Sequence, residues 1–475
     1  MSDFRPLRPD AIPIANPFVG ILSVVAGTVL AVALVPGNHR PEGVLFASSL
    51  CMAAGLLFAP GMAVIMCPRA AFRVEHLLML GLTYWLLLDH LQGAYDMEDV
   101  KRPAVIATFG AIGLFACAIW AAAFLPPWRL PGVLEQTARM ELGATFLFGA
   151  LLACTALALF KFAWPCDFDV VLMVKSLSGN RWSAPWARGA LGGWDSFRDH
   201  LQYFGYLVPT LVVLLAYHTK SWSNALVLIG ILLTVPVTVF VAHGGSRRVI
   251  GVMFGSAMVC WALMRGRAIR LPTLAGLAGA AALLLIGMQL MLEYRVTGYS
   301  KLLGAETRHE AQFDHLHVDD NFLRLAQVIE IIPDRHPYTY EKVFVWVAVR
   351  PIPRVFWEGK PVDPGFDLAE TVGKVGVSLS CSAIGELFVS FGWPAVALGG
   401  WLFGRFAGTC NRFLAAGYGQ AGILMYSAGT MALFAGLRSM LELVLMSYMI
   451  VAWCGIVVLM RFFGYGMAVP RAGVR

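Results

Sequence analysis

Residues 225–242 read ALVLIGILLTVPVTVFVA and contain no charged side chain, with hydroxyl groups only at Thr234 and Thr238. An α-helix needs about 20 predominantly apolar residues to cross the ~30 Å hydrocarbon core of a bilayer, because each residue advances the helix by about 1.5 Å. This run has the required length and composition. We therefore expect a transmembrane helix over 224–242.

The composition of the whole chain agrees with that expectation. Of 475 residues, 58% are hydrophobic and 14% are charged, whereas a soluble domain carries roughly a quarter of its residues as Asp, Glu, Lys or Arg. This deficit in charge excludes an ordinary soluble enzyme. The formal net charge is +7, but the basic residues are scattered over many short loops and form no dense patch, so we expect no nucleic-acid partner.

Comparable apolar runs, bounded by charged residues, Pro or Gly, lie along most of the chain. The predicted spans are 17–35, 43–66, 74–93, 104–125, 141–164, 201–217, 224–242, 249–264, 271–292, 382–404, 420–437 and 441–463. The predicted fold class is all-α, a polytopic transmembrane helix bundle of about 12 spans. Residues 1–292 then hold helices one to nine with a polar loop at 165–200, residues 293–381 form a large polar loop, and residues 382–475 hold helices ten to twelve.

The distribution of Lys and Arg in the short loops predicts the orientation. If the N-terminus is cytoplasmic, most of these residues fall in cytoplasmic loops, while the short outer loops hold few and also carry acids such as Glu42 and Asp99. We therefore expect both termini inside and the loops 165–200 and 293–381 outside. A cleavable signal peptide is not expected, because the polar start runs directly into the first span.

The large outer loop predicts local structure of its own. Asp319 and Asp320 are plausible N-caps of an amphipathic helix that ends at Pro333. The run 343–349 is compatible with a strand or a short helix. Pro351, Pro353 and Pro361 then exclude a regular helix over 350–361.

The segment 350–361 is a rigid, basic and aromatic loop. Its Arg354 and Lys360 suit phosphate oxygens, and Trp357 suits stacking on a sugar. The alternative is an interfacial loop whose basic side chains contact lipid headgroups. The composition does not decide between these two interpretations.

Other polar groups are candidates for chemistry. The polar cluster of the large loop consists of His309, Asp314, His315, His317, Asp319 and Asp320. It resembles a metal site only superficially; we expect no metal, and a hydrated loop or a general base such as His315 or His317 instead. Glu386 is a second candidate base, and the alternative is an idle acid at a helix N-terminus.

Two arginines follow a pair of glycines in His243-Gly244-Gly245-Ser246-Arg247-Arg248, at the outer membrane boundary. Charges at that depth are usually partnered, and a lipid-linked phosphate is a natural partner for Arg247 and Arg248. The alternative is that both snorkel to lipid headgroups. Near the same boundary, Glu442 is expected to pair with Arg438, four residues away. Among nine cysteines, only Cys166 and Cys381 lie where an outer disulfide could form.

Two sequence elements resemble the O-antigen (oligosaccharide repeat unit) polymerase family. The first is Pro353-Arg354-Val355-Phe356-Trp357-Glu358-Gly359-Lys360-Pro361, similar to a PR-x-x-W-x-x-KP element at the end of a large periplasmic loop. The second, Gly385-Glu386-Leu387-Phe388-Val389-Ser390-Phe391-Gly392, is similar to the GE-(aromatic)-x-x-FG element that opens the next span. Gly245-Ser246-Arg247 also resembles a GSR element of these polymerases and of the related ligases. The departures are in the residues between the shared positions: Phe356 precedes the Trp, Glu358-Gly359 fills the middle of the first element, and Phe388 stands where Tyr is more usual. No charged position is lost.

The resemblance implies a multi-pass glycosyltransferase of the bacterial inner membrane with a periplasmic active site and no cofactor. Its substrates would be undecaprenyl-pyrophosphate-linked oligosaccharides, and further partners would be membrane lipids, a chain-length regulator and a flippase. It implies pyrophosphate or substrate binding by Arg247, Arg248, Arg295, Arg354, Lys360 and Trp357. The base would be Glu386, His315 or His317.

Two other functions remain open. An O-antigen ligase shares the loop and the arginines and differs in the acceptor that receives the glycan. A transporter or flippase fits a span count of about 12, but such folds usually consist of repeated halves, and the chain shows no matching halves.

Overall fold

In the computed structural model, the chain is all-helical, with no strand among the described residues. The structure describes residues 12–97, 99–187, 195–265, 269–299, 315–316, 318–350, 352–361, 363–374, 379–414 and 418–463. Eight helices within these ranges are long and apolar enough to cross a membrane. The protein is therefore a helical membrane protein.

Twenty α-helices are named here in chain order. They are α1 Pro17–Ala33, α2 Phe46–Met66, α3 Val74–Leu82, α4 Leu88–Gln92, α5 Arg102–Ala122, α6 Gly132–Ala138, α7 Ala144–Ala163, α8 Val170–Ser176, α9 Asp195–His200, α10 Gln202–His218, α11 Ala225–His243, α12 Arg247–Met264, α13 Leu271–Thr297, α14 Asn321–Ile331, α15 Lys342–Val349, α16 Leu368–Thr371, α17 Ser382–Phe391, α18 Trp393–Asn411, α19 Gln420–Gly436 and α20 Met440–Phe462. Short 3₁₀ segments lie at Pro68–Phe72, Trp164–Cys166 and Arg412–Leu414, and a π-helical turn lies at Thr83–Leu87.

Helix lies in each of the predicted spans, but two of these spans are interrupted. The span predicted at 74–93 consists of α3, the π-helical turn and α4. The span predicted at 382–404 is broken into α17 and α18 at Gly392, which has φ 66° and ψ −146°. A Cβ at Gly392 would lie 2.9 Å from the Tyr338 hydroxyl oxygen, so both the backbone and the packing require glycine here.

Small residues let the helices of the bundle approach closely. A Cβ on Gly27 of α1 would lie 2.7 Å from the Cα of Gly55 of α2. Likewise, a Cβ on Gly400 of α18 would lie 2.4 Å from the carbonyl oxygen of Phe115 in α5. Such contacts are typical of helix packing in membranes, where dispersion contacts replace the hydrophobic effect between helices.

The predicted amphipathic helix of the large loop is confirmed as α14. Its side chains Phe322, Leu325 and Ala326 are fully buried. Asp320 occupies the N-cap position but forms an ion pair with Arg324 in place of a capping hydrogen bond. The run 343–349 is helical, in α15, and the described part of 350–361 contains turns and no helix.

The disulfide that Cys166 and Cys381 could form is not present. Cys166 and Cys381 are buried and unpaired, and the other cysteines are free as well. Each of the two thiols is enclosed by its own surroundings in the fold, so it behaves as a small apolar group.

Candidate functional site

A cavity of about 2100 Å³ opens between α3, α10, α12, α13, α19 and α20. One end is charged, and it is lined by Arg247, Arg248, Asp319, Arg350, Arg354, Lys360, Asp363, Asp367, Glu386, Arg438 and Glu442. The other end is apolar, and it is lined by Phe72, Leu77, Leu80, Val252, Met258, Val259, Leu274, Leu277, Leu284 and Met431. The cavity is thus amphipathic.

The apolar part is a deep channel beside α12 and α13. Lining residues on α12 extend from Arg247 to Val259, which corresponds to about 18 Å at 1.5 Å per residue. Helix α13 packs mainly on α12 and leaves side chains such as Leu283 and Ile286 exposed at the bundle surface. A molecule in the channel therefore lies beside a peripheral helix that borders the surrounding lipid.

Arg247 stands at the start of α12, directly after the turn made by Gly245, whose φ is 67°. Its Nη1 donates to Gln289 Oε1 over 3.0 Å, and its Nη2 donates to the Val318 carbonyl over 3.1 Å. Nη2 also lies 3.8 Å from Asp319 Oδ1. Arg247 therefore connects α12 to α13 and to the segment before α14 while it lines the cavity.

Arg438 lies between α19 and α20 and contacts the same aspartate. Its Nε donates to Asp319 Oδ2 over 2.5 Å. Burial lowers the pKa of Arg438, but the charge and hydrogen bond of Asp319 outweigh burial and leave the pKa raised. The guanidinium is therefore always charged at the cavity wall.

The predicted pairing of Glu442 with Arg438 is wrong. Glu442 Oε1 lies 2.8 Å from Nε of Arg248, which lies in the first turn of another helix, α12. Arg438 precedes the N-cap Ser439 of α20 and is not helical, so the four-residue spacing of an α-helix does not bring it to Glu442.

Glu386 is half-buried on α17 and bonded to the start of α20. Its carboxylate accepts hydrogen bonds of 2.6 Å from both the Ser439 hydroxyl and the backbone N–H of Met440. An acid at a helix N-terminus is favourable because unpaired N–H groups and the helix dipole point there. Glu386 thus caps a helix other than its own, and it also lines the cavity.

The basic loop contributes two different kinds of cation. Lys360 is 5% exposed and its Nζ donates to the carbonyls of Arg350 and Ile352, over 2.9 and 2.8 Å. Burial, followed by the charges of Arg350 and Arg354, lowers the pKa of Lys360. Lys360 therefore folds the loop, whereas Arg354 is exposed on the cavity wall and forms no ion pair with a described residue.

Aromatic side chains border the charged end. Trp182, Trp186 and Trp346 line the cavity, and Trp357 does not, although it is 40% exposed. The Arg181 guanidinium lies 4.3 Å from the centre of the Trp182 ring. The segment 165–200 therefore contributes to this cavity together with the large loop.

The histidine candidates are less well placed. Leu316, Val318 and Asp319 line the cavity, whereas His315 contributes its backbone carbonyl to a 3.4 Å bond from Gln289 Nε2. His317, His309 and Asp314 lie outside the described residues, as does the side chain of Arg295 in α13. Within the described ranges no group of three or more His, Cys, Asp or Glu side chains could hold a metal ion.

The geometry suits an amphiphile with an anionic head. Arginine forks bind phosphate oxygens through paired, charge-assisted hydrogen bonds, and the channel accepts an apolar chain. No family model, no curated protein and no solved structure matches the chain.

Sequence reasoning missed three contributors to this site. Arg438 was interpreted as the partner of Glu442, and Tyr84 and Gln289 were not singled out. A signal existed for Gln289, since it is a polar residue within an apolar run. Tyr84 reaches the cavity from the π-helical turn, and such turns often occur at functional sites.

Proposed function

We propose that this chain is a membrane glycosyltransferase that polymerises undecaprenyl-pyrophosphate-linked oligosaccharide repeat units into surface polysaccharide. The product would be an O-antigen, a capsule or an exopolysaccharide, made at the periplasmic face of the bacterial inner membrane. The observation that carries the proposal is the amphipathic cavity, whose lining extends about 18 Å along α12 from the arginines to apolar side chains. A polyprenyl pyrophosphate has this same division of charge and apolar chain.

The reaction would be a displacement at the anomeric carbon of the donor glycan. An acceptor hydroxyl oxygen forms the new glycosidic bond, the bond between the anomeric carbon and the pyrophosphate oxygen breaks, and the lipid pyrophosphate leaves with the electron pair. The hydroxyl proton passes to a base, for which Glu386 is our first candidate because it lines the cavity.

Charge stabilisation would come from the arginines. Negative charge grows on the departing pyrophosphate, and fixed guanidinium groups stabilise it without having to reorganise. Arg354 and Arg438 suit this role best, because Arg354 has no ion pair with a described residue and Arg438 uses only Nε to bind Asp319. Arg247 and Arg248 add positive charge beside them.

The sequence elements support the same proposal. Arg354 and Lys360 belong to the first family-like element, Glu386 to the second and Arg247 to the third. All four line one cavity although the elements are far apart in the chain. The length of the loop that holds the first element is consistent with a glycan substrate.

Deletion of the gene tests the proposal. The deletion strain should display single repeat units on its lipid carrier or surface acceptor and no longer chains, as seen on a polysaccharide gel. Full-length polymer that accumulates on undecaprenyl pyrophosphate, with no glycan on the final acceptor, would indicate a ligase. Repeat units that stay on the cytoplasmic face would indicate a flippase.

A further inference from the structure

Asp319 is the only described carboxylate that contacts two arginines of the cavity wall. Its Oδ2 accepts the hydrogen bond from Arg438 Nε over 2.5 Å, and its Oδ1 lies 3.8 Å from Arg247 Nη2. The two arginines belong to segments almost two hundred residues apart in the chain. One aspartate therefore connects the start of α12 to the segment just before α20.

The backbone around Asp319 is held on one side by α4. The Gln92 side chain accepts from Leu316 N over 2.8 Å and donates to the Leu316 carbonyl over 3.2 Å. Asp89 Oδ1 accepts from Val318 N over 3.4 Å. These bonds fix the two described residues that approach Asp319 from its N-terminal side.

On the other side, the π-helical turn anchors the start of α14. The Asn321 side chain is fully buried, and its Nδ2 donates to the Trp85 carbonyl over 3.2 Å. A π-helical turn interrupts the regular bonding of a helix, so a carbonyl within it is available to a partner from elsewhere. Asp319 therefore sits on a short segment that is fixed before and after it.

This fixed carboxylate determines how one guanidinium is presented. Arg438 donates through Nε, and its two Nη groups donate no hydrogen bond to the described part of the chain. Because a guanidinium is planar, a short bond at Nε fixes the direction of both Nη groups. Resting on the proposed function, we propose that Asp319 is a positioning residue: it orients Arg438 so that the Nη pair binds the pyrophosphate oxygens of the lipid-linked substrate.

Binding of two isoprenoids to the purified, full-length protein tests this role. Farnesyl pyrophosphate carries the charged head, and farnesol is the same chain with a neutral head. The dissociation constant of farnesol divided by that of farnesyl pyrophosphate is therefore the ratio that measures recognition of the head. The variants are Asp319→Asn, Arg438→Gln and the double variant. Asp320→Asn is the matched control, because Asp320 pairs with Arg324 of α14 and does not line the cavity.

We expect Asp319→Asn and Arg438→Gln each to weaken farnesyl pyrophosphate about 10- to 100-fold, the effect of losing a charge-assisted hydrogen bond, with farnesol unchanged. If Asp319 acts through Arg438, the double variant should be no weaker than Arg438→Gln alone. Asp320→Asn should keep the wild-type ratio. A purely structural aspartate would weaken both isoprenoids alike.

Two results would overturn the positioning role: a wild-type ratio in Asp319→Asn, or losses that add in the double variant. If Asp319→Asn also loses farnesol binding, Asp319→Glu decides, because it keeps the charge but displaces the carboxylate. A ratio lowered at least ~3-fold in Asp319→Glu supports positioning, since this corresponds to a misdirected hydrogen bond, and an unchanged ratio opposes it. A wild-type protein that binds farnesyl pyrophosphate no tighter than farnesol would overturn the proposed function along with this inference.

Discussion

Arg248 and Glu442 form an ion pair between the first turns of α12 and α20, with Arg248 Nε 2.8 Å from Glu442 Oε1. The glutamate side chain is only 3% exposed, and Arg248 is 34% exposed. A buried charge without its partner is costly, whereas removal of both charges is often tolerated. This pair holds together two helices that border the charged end of the cavity.

Glu442→Gln should therefore lower the melting temperature of the purified protein by several degrees, because Arg248 loses its counter-charge. The double variant Glu442→Gln/Arg248→Met should recover most of that loss. Thermal unfolding in detergent measures both. If the double variant is less stable than Glu442→Gln alone, the loss of stability does not come from the unpaired charge of Arg248, and the prediction is wrong.

Arg247→Ala should reduce polymer formation from purified lipid-linked repeat units on the order of 10²–10³-fold, the effect of removing one charge-stabilising donor. Arg247→Lys should restore only part of the activity, because Lys lacks the planar fork. Gln289→Leu is the control, since it removes the 3.0 Å bond to Arg247 and keeps the guanidinium. If Gln289→Leu is as inactive as Arg247→Ala, the role of Arg247 is to hold the helices together.

Arg354 and Lys360 should respond differently to the same change. Arg354→Gln should reduce polymer formation strongly and leave thermal stability near that of the wild type, because Arg354 is exposed on the cavity wall. Lys360→Gln should lower both, since its Nζ donates to the Arg350 and Ile352 carbonyls. Measuring both the melting temperature and polymer formation for each variant distinguishes a role in substrate binding from a role in folding the loop. Loss of stability in Arg354→Gln would contradict the assignment.

Gly392→Ala should destabilise the protein by about 1–3 kcal/mol, the cost of a non-glycine residue in this region of backbone space. The added Cβ would also lie 2.9 Å from the Tyr338 hydroxyl oxygen. Gly455→Ala in α20 is the control, since nothing lies within 4 Å of its Cβ position and Ala favours helix. In thermal unfolding, the melting temperature of Gly455→Ala should equal or exceed that of the wild type. Equal melting temperatures of Gly392→Ala and Gly455→Ala would contradict the expected backbone strain at position 392.

The orientation predicted from basic residues is tested with reporter fusions. A reporter fused after Lys360 should report a periplasmic location, and one fused after Arg267 a cytoplasmic one. The two positions are separated by one predicted span, 271–292, so the reporters must differ. Reporters on the same side would disprove the predicted topology.

Much of the fold follows from local sequence. Apolar runs predicted helix in the right places because a bilayer requires long apolar helices whatever their neighbours are. The spacing after Asp320 predicted α14, because one face of that helix is apolar. Prolines excluded helix over 350–361 because they lack an N–H and fix φ.

The interruptions of the predicted spans could not be predicted from local sequence. Gly392 lies in an apolar run in which a glycine usually continues a helix, and that run shows neither its φ of 66° nor the approach of the Tyr338 hydroxyl group. Within the π-helical turn at Thr83–Leu87, the Trp85 carbonyl accepts a hydrogen bond from Asn321, which comes from another part of the chain. Hydropathy is averaged over a window, so it does not register such single contacts.

The sequence by itself determined that this protein is a helical membrane protein and that arginines and acids gather between its spans. Only the tertiary structure decided that Arg438 meets Asp319, that Arg248 meets Glu442, and that Glu386 caps α20. Helix formation depends on neighbours within about four residues, whereas the partners in each of these contacts are at least 53 residues apart in the chain. Their pairing depends on how the helices pack, because a charge at the edge of a membrane is stable only beside a partner that packing brings to it.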